Sequence, residues 1–425
     1  MNSEILDARL HHWLRKKIGE LPISQQIQLK NLKNCGKTAM IQPQSTPAVF
    51  LLRNNRNEAR LFGQVTCKNT WACPHCSTVR MQKYAKIIGA AIESMKLNYH
   101  QRACMITFTV PHLRFQSCRE VTDILYKTWT AVFQNAHSRR KTKNGDSIRS
   151  SSPANKFFSE NEIRHYVRVA EYTWGANGWH PHFHCLFWFP EKYLDNILSF
   201  EQSIQAFWTK KFKEVVSKYY KNRDEFNAIQ KLHDIADDDY AGKQDIVWIS
   251  KGKDGKIMPV ESADYIAGWG ADNELTGNYR KNASNEGHYT PYQILEMAAD
   301  GNKQMEDLYV EFMLQVTRKP VHHRINFSKT GILKIAKIYM NTVGFEQLLK
   351  KKSAEWEVVA WFNQEQWSEI CHLDLLSPFI SNILYLAAIN RRDLLSDFLE
   401  NFGIKLAKCP HFHQQHVENI FNNVA

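Results

Sequence analysis

The sequence predicts an α+β protein in which an antiparallel sheet is covered by helices on its back. Three patterns lead to this prediction: strand-like apolar segments between residues 103 and 189, a cluster of cysteines near residue 70, and mainly helical spacing beyond about residue 300. The expected domain division is 1–100 for a helical, Cys-rich region, 101–285 for the sheet domain and 286–425 for a mainly helical region.

Composition and charge indicate a globular protein with a polyanionic partner. The 425 residues are 43% hydrophobic and 23% charged, with a formal net charge of +12. Such a balance is typical of nucleic-acid binding, and a basic protein without that partner is the alternative. The sequence shows no run of 18 apolar residues and no signal-peptide pattern at its start. We therefore expect a cytoplasmic protein without membrane association.

The cysteines near residue 70 predict a structural zinc site. Cys67, Cys73 and Cys76 follow the pattern Cys-x5-Cys-Pro-x-Cys, and Cys35 is available as a fourth thiolate. Four thiolates would complete a tetrahedron, for which His75 is a poorer ligand. Unligated reduced cysteines are the alternative. Nine cysteines, an odd number without a secretion signal, argue against a disulfide framework.

Two basic segments are candidate DNA contacts. Residues 77–95 read as a helix with basic side chains on its exposed face, which can follow a phosphate backbone. Residues 138–153 read as a basic, Ser-rich loop, for which a solvated flexible loop is an equal alternative. The candidate contacts are Arg80, Lys83, Lys86, Arg139 and Arg140.

The remaining elements follow from apolar periodicity and turn residues. The predicted strands are residues 103–111 and 244–249, and the predicted helices are residues 121–137, about 193–232 and 260–269.

The segment Trp179–Phe189 carries two histidines inside a run that otherwise reads as a buried strand. On a strand, His182 and His184 point to the same face while Phe183 points to the opposite one. Two adjacent imidazoles can hold a divalent cation. A strand whose paired histidines are merely solvated is the alternative.

A carboxylate precedes the two histidines on a predicted hairpin. The Asn177-Gly178 pair is a strong hairpin signal. If these two are the loop residues, Glu171 faces His184; if the turn is centred on residues 176 and 177, Glu171 faces His182. Both registers put the three side chains on one face, and only a slip of one residue would separate them. Glu171, His182 and His184 therefore form a candidate three-ligand site, suited to Mn²⁺ or Mg²⁺.

A further motif, Glu261-x3-Tyr265, follows the last predicted strand. On a helix these two residues share a face. A tyrosine can attack a phosphodiester covalently when a metal polarises the phosphate, and a glutamate can act as general base. Taken alone the motif is common, and an ordinary helix surface is the alternative.

Together these motifs resemble plasmid rolling-circle replication initiators of the HUH endonuclease superfamily, in the group with a Glu-x3-Tyr active site. The resemblance covers roughly residues 35–270. It rests on the Cys-Pro-x-Cys knuckle, the segment Thr107–Pro111, the Glu171 strand with Asn-Gly-Trp-His-Pro-His-Phe-His, and Glu261-x3-Tyr265, in family order.

The resemblance implies a ferredoxin-like, RRM-type sheet and a metal-dependent, site-specific nickase. It implies that Tyr265 cuts one strand and keeps the 5′-phosphate, leaving a 3′-OH primer, and that Glu261 activates water for the terminating cleavage. The expected partners are plasmid origin DNA and a host helicase, with a homodimer left open. Relatives often carry lysine three residues after the tyrosine, where this chain has Gly268; Lys243, Lys251 or Lys256 would have to substitute.

Several alternatives stay open at this point. The segment Cys409–His416 repeats Pro-His-Phe-His and can bind zinc, although a solvated tail fits it better, and Tyr240 is the second candidate nucleophile. A single-strand transposase or conjugative relaxase would use the same chemistry. A non-catalytic, zinc-containing DNA-binding regulator with a structural His-Phe-His is the alternative from another functional class.

Overall fold

The computed structural model describes residues 3–40, 48–134, 139–141, 147–149, 153–221, 226–237, 246–248, 287–318, 323–328, 331–342 and 356–406. The chain divides into two compact units. The knuckle unit comprises residues 1–81, 295–321 and 340–425, and the sheet unit comprises residues 82–294 and 322–339. The domain boundaries expected after residues 100 and 285 stay predictions.

Helices and strands alternate along the described chain. The helices are α1 (Ser3–Glu20), α2 (Ile23–Gln28), α3 (Lys30–Lys33), α4 (Pro74–Tyr99), α5 (Cys118–Trp129), α6 (Pro153–Glu160), α7 (Ile197–Tyr219), α8 (Phe226–Asp237), α9 (Pro291–Ala299), α10 (Lys303–Thr317), α11 (Ile332–Thr342), α12 (Gln364–Leu376), α13 (Phe379–Ala388) and α14 (Arg392–Glu400). The strands are β1 (Ala48–Asn54), β2 (Ala59–Phe62), β3 (Gln101–Phe108), β4 (Arg139–Lys141), β5 (Ser147–Arg149), β6 (Tyr166–Gly175), β7 (Gly178–Pro190), β8 (Ile246–Trp248), β9 (Ile325–Phe327) and β10 (Trp356–Asn363).

The knuckle unit is built on a three-stranded antiparallel sheet in the order β10-β1-β2. Alternate residues of β1 enter different apolar clusters: Val49 and Leu51 pack with Trp367 of α12, and Phe50 packs on the other face. The pairing of β1 with β10 brings together residues that are 304 positions apart in sequence, such as Arg53 and Glu357. Residues of β1 and β2 thus share one core with residues of β10 and of the helices that follow it.

The sheet unit is built on a five-stranded sheet in the order β8-β3-β7-β6-β9, whose neighbours are all antiparallel. Strands β6 and β7 form a hairpin in which Gly175 pairs with Gly178, so that Ala176 and Asn177 are the loop residues. The hairpin therefore has the second of the two registers left open by the sequence, with Glu171 opposite His182.

One face of the five-stranded sheet carries a large aromatic core. Helix α5 packs on β7, where the rings of Tyr126 and Trp129 lie 4.9 Å and 5.5 Å from that of Phe183. A capping box between Ser117 and Glu120 begins this helix by satisfying two backbone N–H groups. The fully buried residues that alternate with the histidines along β7 are Phe183, Cys185, Phe187 and Phe189.

The expected α+β class with antiparallel sheets is confirmed, and the described residues contain fourteen α-helices. Several element bounds differ from the predictions. Helix α4 begins at Pro74 and not at residue 77. Proline is well tolerated there because it stands in the first turn of the helix. The helix predicted for residues 193–232 is two helices, α7 and α8, and the basic loop 138–153 contains the hairpin strands β4 and β5.

Within the described residues, no single helix is both long and apolar enough to cross a membrane; only the pair α12 and α13, bent by 110° between them, meets the length and composition test together.

Candidate functional site

The hairpin β6–β7 brings Glu171, His182 and His184 together on one face of the five-stranded sheet. Glu171 lies opposite His182 in the register, and Val169 lies opposite His184. Because side chains on a strand alternate, the two histidines point to the same side as the glutamate. The potential ligand atoms of the three residues all lie within 4.8 Å of one another. This is the three-residue set that the sequence predicted.

Both imidazoles converge on a single carboxylate oxygen. Glu171 Oε2 lies 3.4 Å from His182 Nε2 and 3.4 Å from His184 Nε2. An ion with bonds of about 2.1 Å separates neighbouring ligand atoms by about 3.0 Å in octahedral geometry and about 3.4 Å in tetrahedral geometry. The two oxygen–nitrogen separations match the tetrahedral value, so the group can receive a divalent ion.

The electrostatics of Glu171 favour the ionised carboxylate. The residue is 6% exposed, and burial alone raises the pKa of its carboxyl group. The neighbouring imidazoles of His184 and His182 outweigh that effect, so that the pKa of Glu171 lies below its usual range. Its second oxygen, Oε1, is buried and has no hydrogen-bond partner in the described part of the chain. A buried carboxylate oxygen without a donor is the expected signature of a cation site.

The other ring nitrogen of each histidine is held by a neighbour. His184 Nδ1 lies 3.0 Å from Thr107 Oγ1 on β3, and His182 Nδ1 lies 3.3 Å from the carbonyl oxygen of His180. When each Nδ1–H donates to these oxygens, both Nε2 lone pairs face Glu171, which is the tautomer that a metal ligand needs. The structure thereby adds Thr107 to the site.

A second pair of histidines extends the site along β7. His180 Nδ1 lies 2.9 Å from His112 Nε2, in the loop that follows β3. Burial, together with the nearby imidazoles, lowers the pKa of His180 to about 2, and burial lowers the pKa of His112. Both rings are therefore neutral near pH 7. Sequence alternation placed His180 on the site face, but nothing in the sequence pointed to His112 as its partner.

The four predicted cysteines form a compact cluster in the knuckle unit. Cys35 Sγ lies 3.6 Å from both Cys73 Sγ and Cys76 Sγ, and Cys67 Sγ lies 3.7 Å from Cys76 Sγ. Zinc–sulfur bonds of 2.3 Å give a tetrahedral edge of about 3.8 Å. No disulfide involves these four thiols. The cluster can therefore hold one metal ion with little rearrangement, and His75 is not needed as a ligand.

Hydrogen-bond donors surround the sulfur atoms of the cysteine cluster. Backbone N–H groups of Cys67, Asn69 and Cys76 donate to sulfur atoms of the cluster. Hydrogen bonds from the other three thiols hold the pKa of Cys76 below its usual value, whereas burial raises that of Cys73. Deprotonation of such a buried group needs a cation to balance its charge.

A buried ion pair connects the cysteine cluster to the last third of the chain. Arg15 donates to Asp374 at 2.7 Å and to the carbonyl oxygen of Cys35 at 2.7 Å. Next to it, Trp367 Nε1 donates to the carbonyl oxygen of Gly36 at 2.8 Å. Trp367 directly and Asp374 through Arg15 thus tie α12 to the backbone beside the first cysteine, so this candidate metal site belongs to the core of its unit.

The structure describes the side-chain exposure of three of the five predicted DNA contacts. Lys83 and Lys86 are exposed on α4, while Arg80 is half-buried. Arg139 and Arg140 lie on β4, for which the structure gives the backbone and no side-chain surroundings.

The two predicted catalytic residues, Tyr265 and Glu261, lie outside the described residues. The same holds for Tyr240, for the substitute lysines and for the histidines of residues 409–416. Their roles stay predictions.

Comparison of the chain with protein families, with curated proteins and with solved structures found no match in any of the three.

Proposed function

We propose that this chain is a metal-dependent DNA nickase and strand transferase of the HUH endonuclease type, which initiates rolling-circle replication of a plasmid. One observation carries the proposal: Glu171, His182 and His184 direct their ligand atoms to one point on the face of an antiparallel hairpin. The same three residues are the candidate ligands that strand alternation and the hairpin register predict from the sequence. A ferredoxin-like topology of the sheet is part of the proposal.

The chain's own residues would bind the ion and fix its orientation. Glu171 Oε2 and the two Nε2 atoms would hold Mn²⁺ or Mg²⁺, and Thr107 together with the His180 carbonyl would keep both imidazoles in the binding tautomer. An ion bound there would polarise a phosphoryl oxygen of the DNA and stabilise the charge that develops in the transition state. Three protein ligands leave coordination positions for substrate.

The nucleophile in this proposal is Tyr265. Its phenolic oxygen attacks the phosphorus, the bond to the 3′ oxygen breaks, and that oxygen leaves as a 3′-OH after taking up a proton. The 5′-phosphate stays on the tyrosine, and the released 3′-OH primes synthesis. Glu261, four residues earlier in the motif, takes the proton from the water used in the terminating cleavage. In the absence of a lysine at position 268, a cationic side chain elsewhere would assist the leaving oxygen.

The charge of the chain supports binding of a polyanion. A formal net charge of +12 favours association with DNA, and Lys83 and Lys86 offer exposed cations on α4. Zinc in the cysteine cluster would act on stability, since a closed four-thiolate site has no position left for substrate.

The proposal is tested by nicking of supercoiled DNA. The substrate is a plasmid that carries the intergenic region next to the gene, incubated with full-length protein and Mn²⁺. We expect open-circular product and a covalent protein–DNA adduct with the wild type. Glu171→Ala, His182→Ala and His184→Ala should each lower the nicking rate at least 100-fold, because each removes one of three ligands.

The matched control is His372→Ala, which removes an exposed histidine on α12 and should nick at the wild-type rate. Wild-type protein that gives no nicked product on the origin plasmid would contradict the proposal and would favour the non-catalytic regulator. Nicking without dependence of plasmid copying on the gene would favour the transposase or relaxase.

A further inference from the structure

The loop between β3 and α5 holds an aromatic ring in solvent. Phe115 is 73% exposed, compared with 50% for Tyr99 and 53% for Tyr385. Its neighbour Arg114 is exposed as well. The loop thus exposes an apolar ring and a positive charge at consecutive positions.

The exposure of Phe115 does not come from a loosely held loop. The side-chain Nε2 of Gln116 donates to the hydroxyl of Tyr220 at 2.7 Å. The backbone N–H of Gln116 donates to the carbonyl oxygen of Leu113 at 3.0 Å. On the other side, Trp208 Nε1 donates to the carbonyl oxygen of Thr109 at 2.7 Å. Both ends of the loop are therefore anchored to the core of the sheet unit, and the ring is presented from a fixed backbone.

The same loop touches the candidate metal site at two points. His112 binds the imidazole of His180, two residues before the ligand His182. At the hairpin tip, Gly178 has φ +86°, and a Cβ added there would lie 2.7 Å from the carbonyl oxygen of Arg114. The backbone of the loop thus packs directly on the glycine. His112 and Phe115 are three positions apart in sequence, so their Cα atoms lie within about 11 Å.

We infer that Phe115 and Arg114 form a contact for single-stranded DNA beside the Glu171–His182–His184 site. The ring of Phe115 stacks on one unpaired base, and the guanidinium of Arg114 neutralises a neighbouring phosphate. Stacking requires a base that is free of its partner strand, so this contact selects single strands over duplex DNA. The inference rests on the proposed function for the identity of the ligand, and it adds a residue that would position the strand for cutting.

Binding is measured by fluorescence anisotropy of the full-length protein without added Mn²⁺. The probes are a labelled 20-nucleotide single strand of mixed sequence and the same strand annealed to its complement. Phe115→Leu keeps an apolar side chain of similar size but removes the aromatic face. We expect it to bind the single strand about 5- to 150-fold more weakly, the equivalent of about 1–3 kcal/mol, with duplex binding unchanged within twofold.

Two further variants separate stacking from general effects. Phe115→Tyr should bind the single strand within twofold of the wild type, because the ring is retained. Tyr99→Leu, which removes an exposed ring at the opposite end of β3, should also bind as the wild type does. Arg114→Gln should lower the salt dependence of binding by about one phosphate contact on the single strand.

Equal single-strand affinity of wild type and Phe115→Leu would overturn the inference, as would an equal loss for single strand and duplex. Weakened capture of a protein partner with unchanged DNA binding would overturn it as well. If the wild type nicks origin plasmid while Phe115→Leu binds normally, the proposed function stands and only this contact fails. If the wild type never nicks while Phe115→Leu loses single-strand affinity, the proposed function fails and the contact stands.

Discussion

The cysteine cluster and the Glu171–His182–His184 group are both able to hold a metal ion, yet they are built differently. The cysteine cluster supplies four ligands, of which three are almost fully buried, and its first cysteine is fixed by a buried ion pair through Arg15. The hairpin group supplies three ligands, and both imidazoles are about one-eighth exposed. A closed tetrahedron is suited to stabilising a fold, whereas a three-ligand site leaves room for a reacting group.

The difference predicts opposite consequences when a ligand is lost. Removal of a cysteine should unfold the unit that surrounds it, since the sheet, α12 and the cysteine cluster share one core. Removal of Glu171 or of a ligand histidine should leave the fold intact and abolish only the proposed nicking.

The largest effect is expected for Cys73→Ser. Binding of structural zinc is worth about 10–16 kcal/mol in small zinc-binding peptides at pH 7, which is comparable to the whole stability of a domain. The variant should therefore lose its zinc and the cooperative unfolding transition of the knuckle unit. Elemental analysis and thermal unfolding measure both quantities.

Cys371→Ser is the matched control for that variant. Cys371 is a buried free thiol of α12 in the same unit and does not belong to the cluster. It should keep zinc and lose at most about 1–3 kcal/mol of unfolding free energy, the cost of a poorly paired buried hydroxyl. Equal destabilisation by the two substitutions would contradict a structural metal at the cysteine cluster.

The second effect concerns Tyr265, the proposed nucleophile. Tyr265→Phe removes one hydroxyl and keeps the ring, so we expect normal origin binding and metal binding together with loss of the covalent adduct. A denaturing gel of protein incubated with labelled origin DNA detects the adduct. Labelled DNA that still migrates with the Phe variant would assign the nucleophile to another tyrosine, with Tyr240 the next to test.

A smaller effect is expected for Thr107→Val, which keeps the side-chain shape but removes the oxygen beside His184 Nδ1. Loss of such a supporting hydrogen bond weakens metal binding by about 10- to 100-fold, the equivalent of about 1.4–2.7 kcal/mol. Titration with Mn²⁺ in the absence of DNA measures this change without relying on activity. Thr130→Val, in the same unit, removes a hydroxyl that donates to the carbonyl oxygen of Tyr126 and should leave the Mn²⁺ affinity unchanged within twofold.

Much of the candidate site could be predicted from the sequence because it lies on one hairpin. The alternation of His182 and His184 fixes their common face, and two plausible registers both add Glu171 to it. The actual register depends on Gly178, whose positive φ and close approach to the Arg114 carbonyl fit the position directly after a two-residue loop. No local pattern reports that contact, so the sequence left the two registers open.

Contacts between distant segments could not be predicted. Thr107 reaches His184 because β3 pairs with β7, and His112 reaches His180 because the loop after β3 folds over the hairpin. Likewise, the sheet of the knuckle unit pairs β1 with β10 across most of the chain. Periodicity describes which face of a segment is buried, and it contains no information about which distant segment covers that face.

We propose that the chain carries one closed metal centre for stability and one open centre for chemistry. It is tested most directly by the metal content of purified protein before and after dialysis against EDTA, with nicking measured on the same samples. We expect one zinc per chain to be retained in folded protein after dialysis, with loss of nicking and its return on addition of Mn²⁺. Folded protein that contains no zinc, or nicking that persists in EDTA, would contradict it.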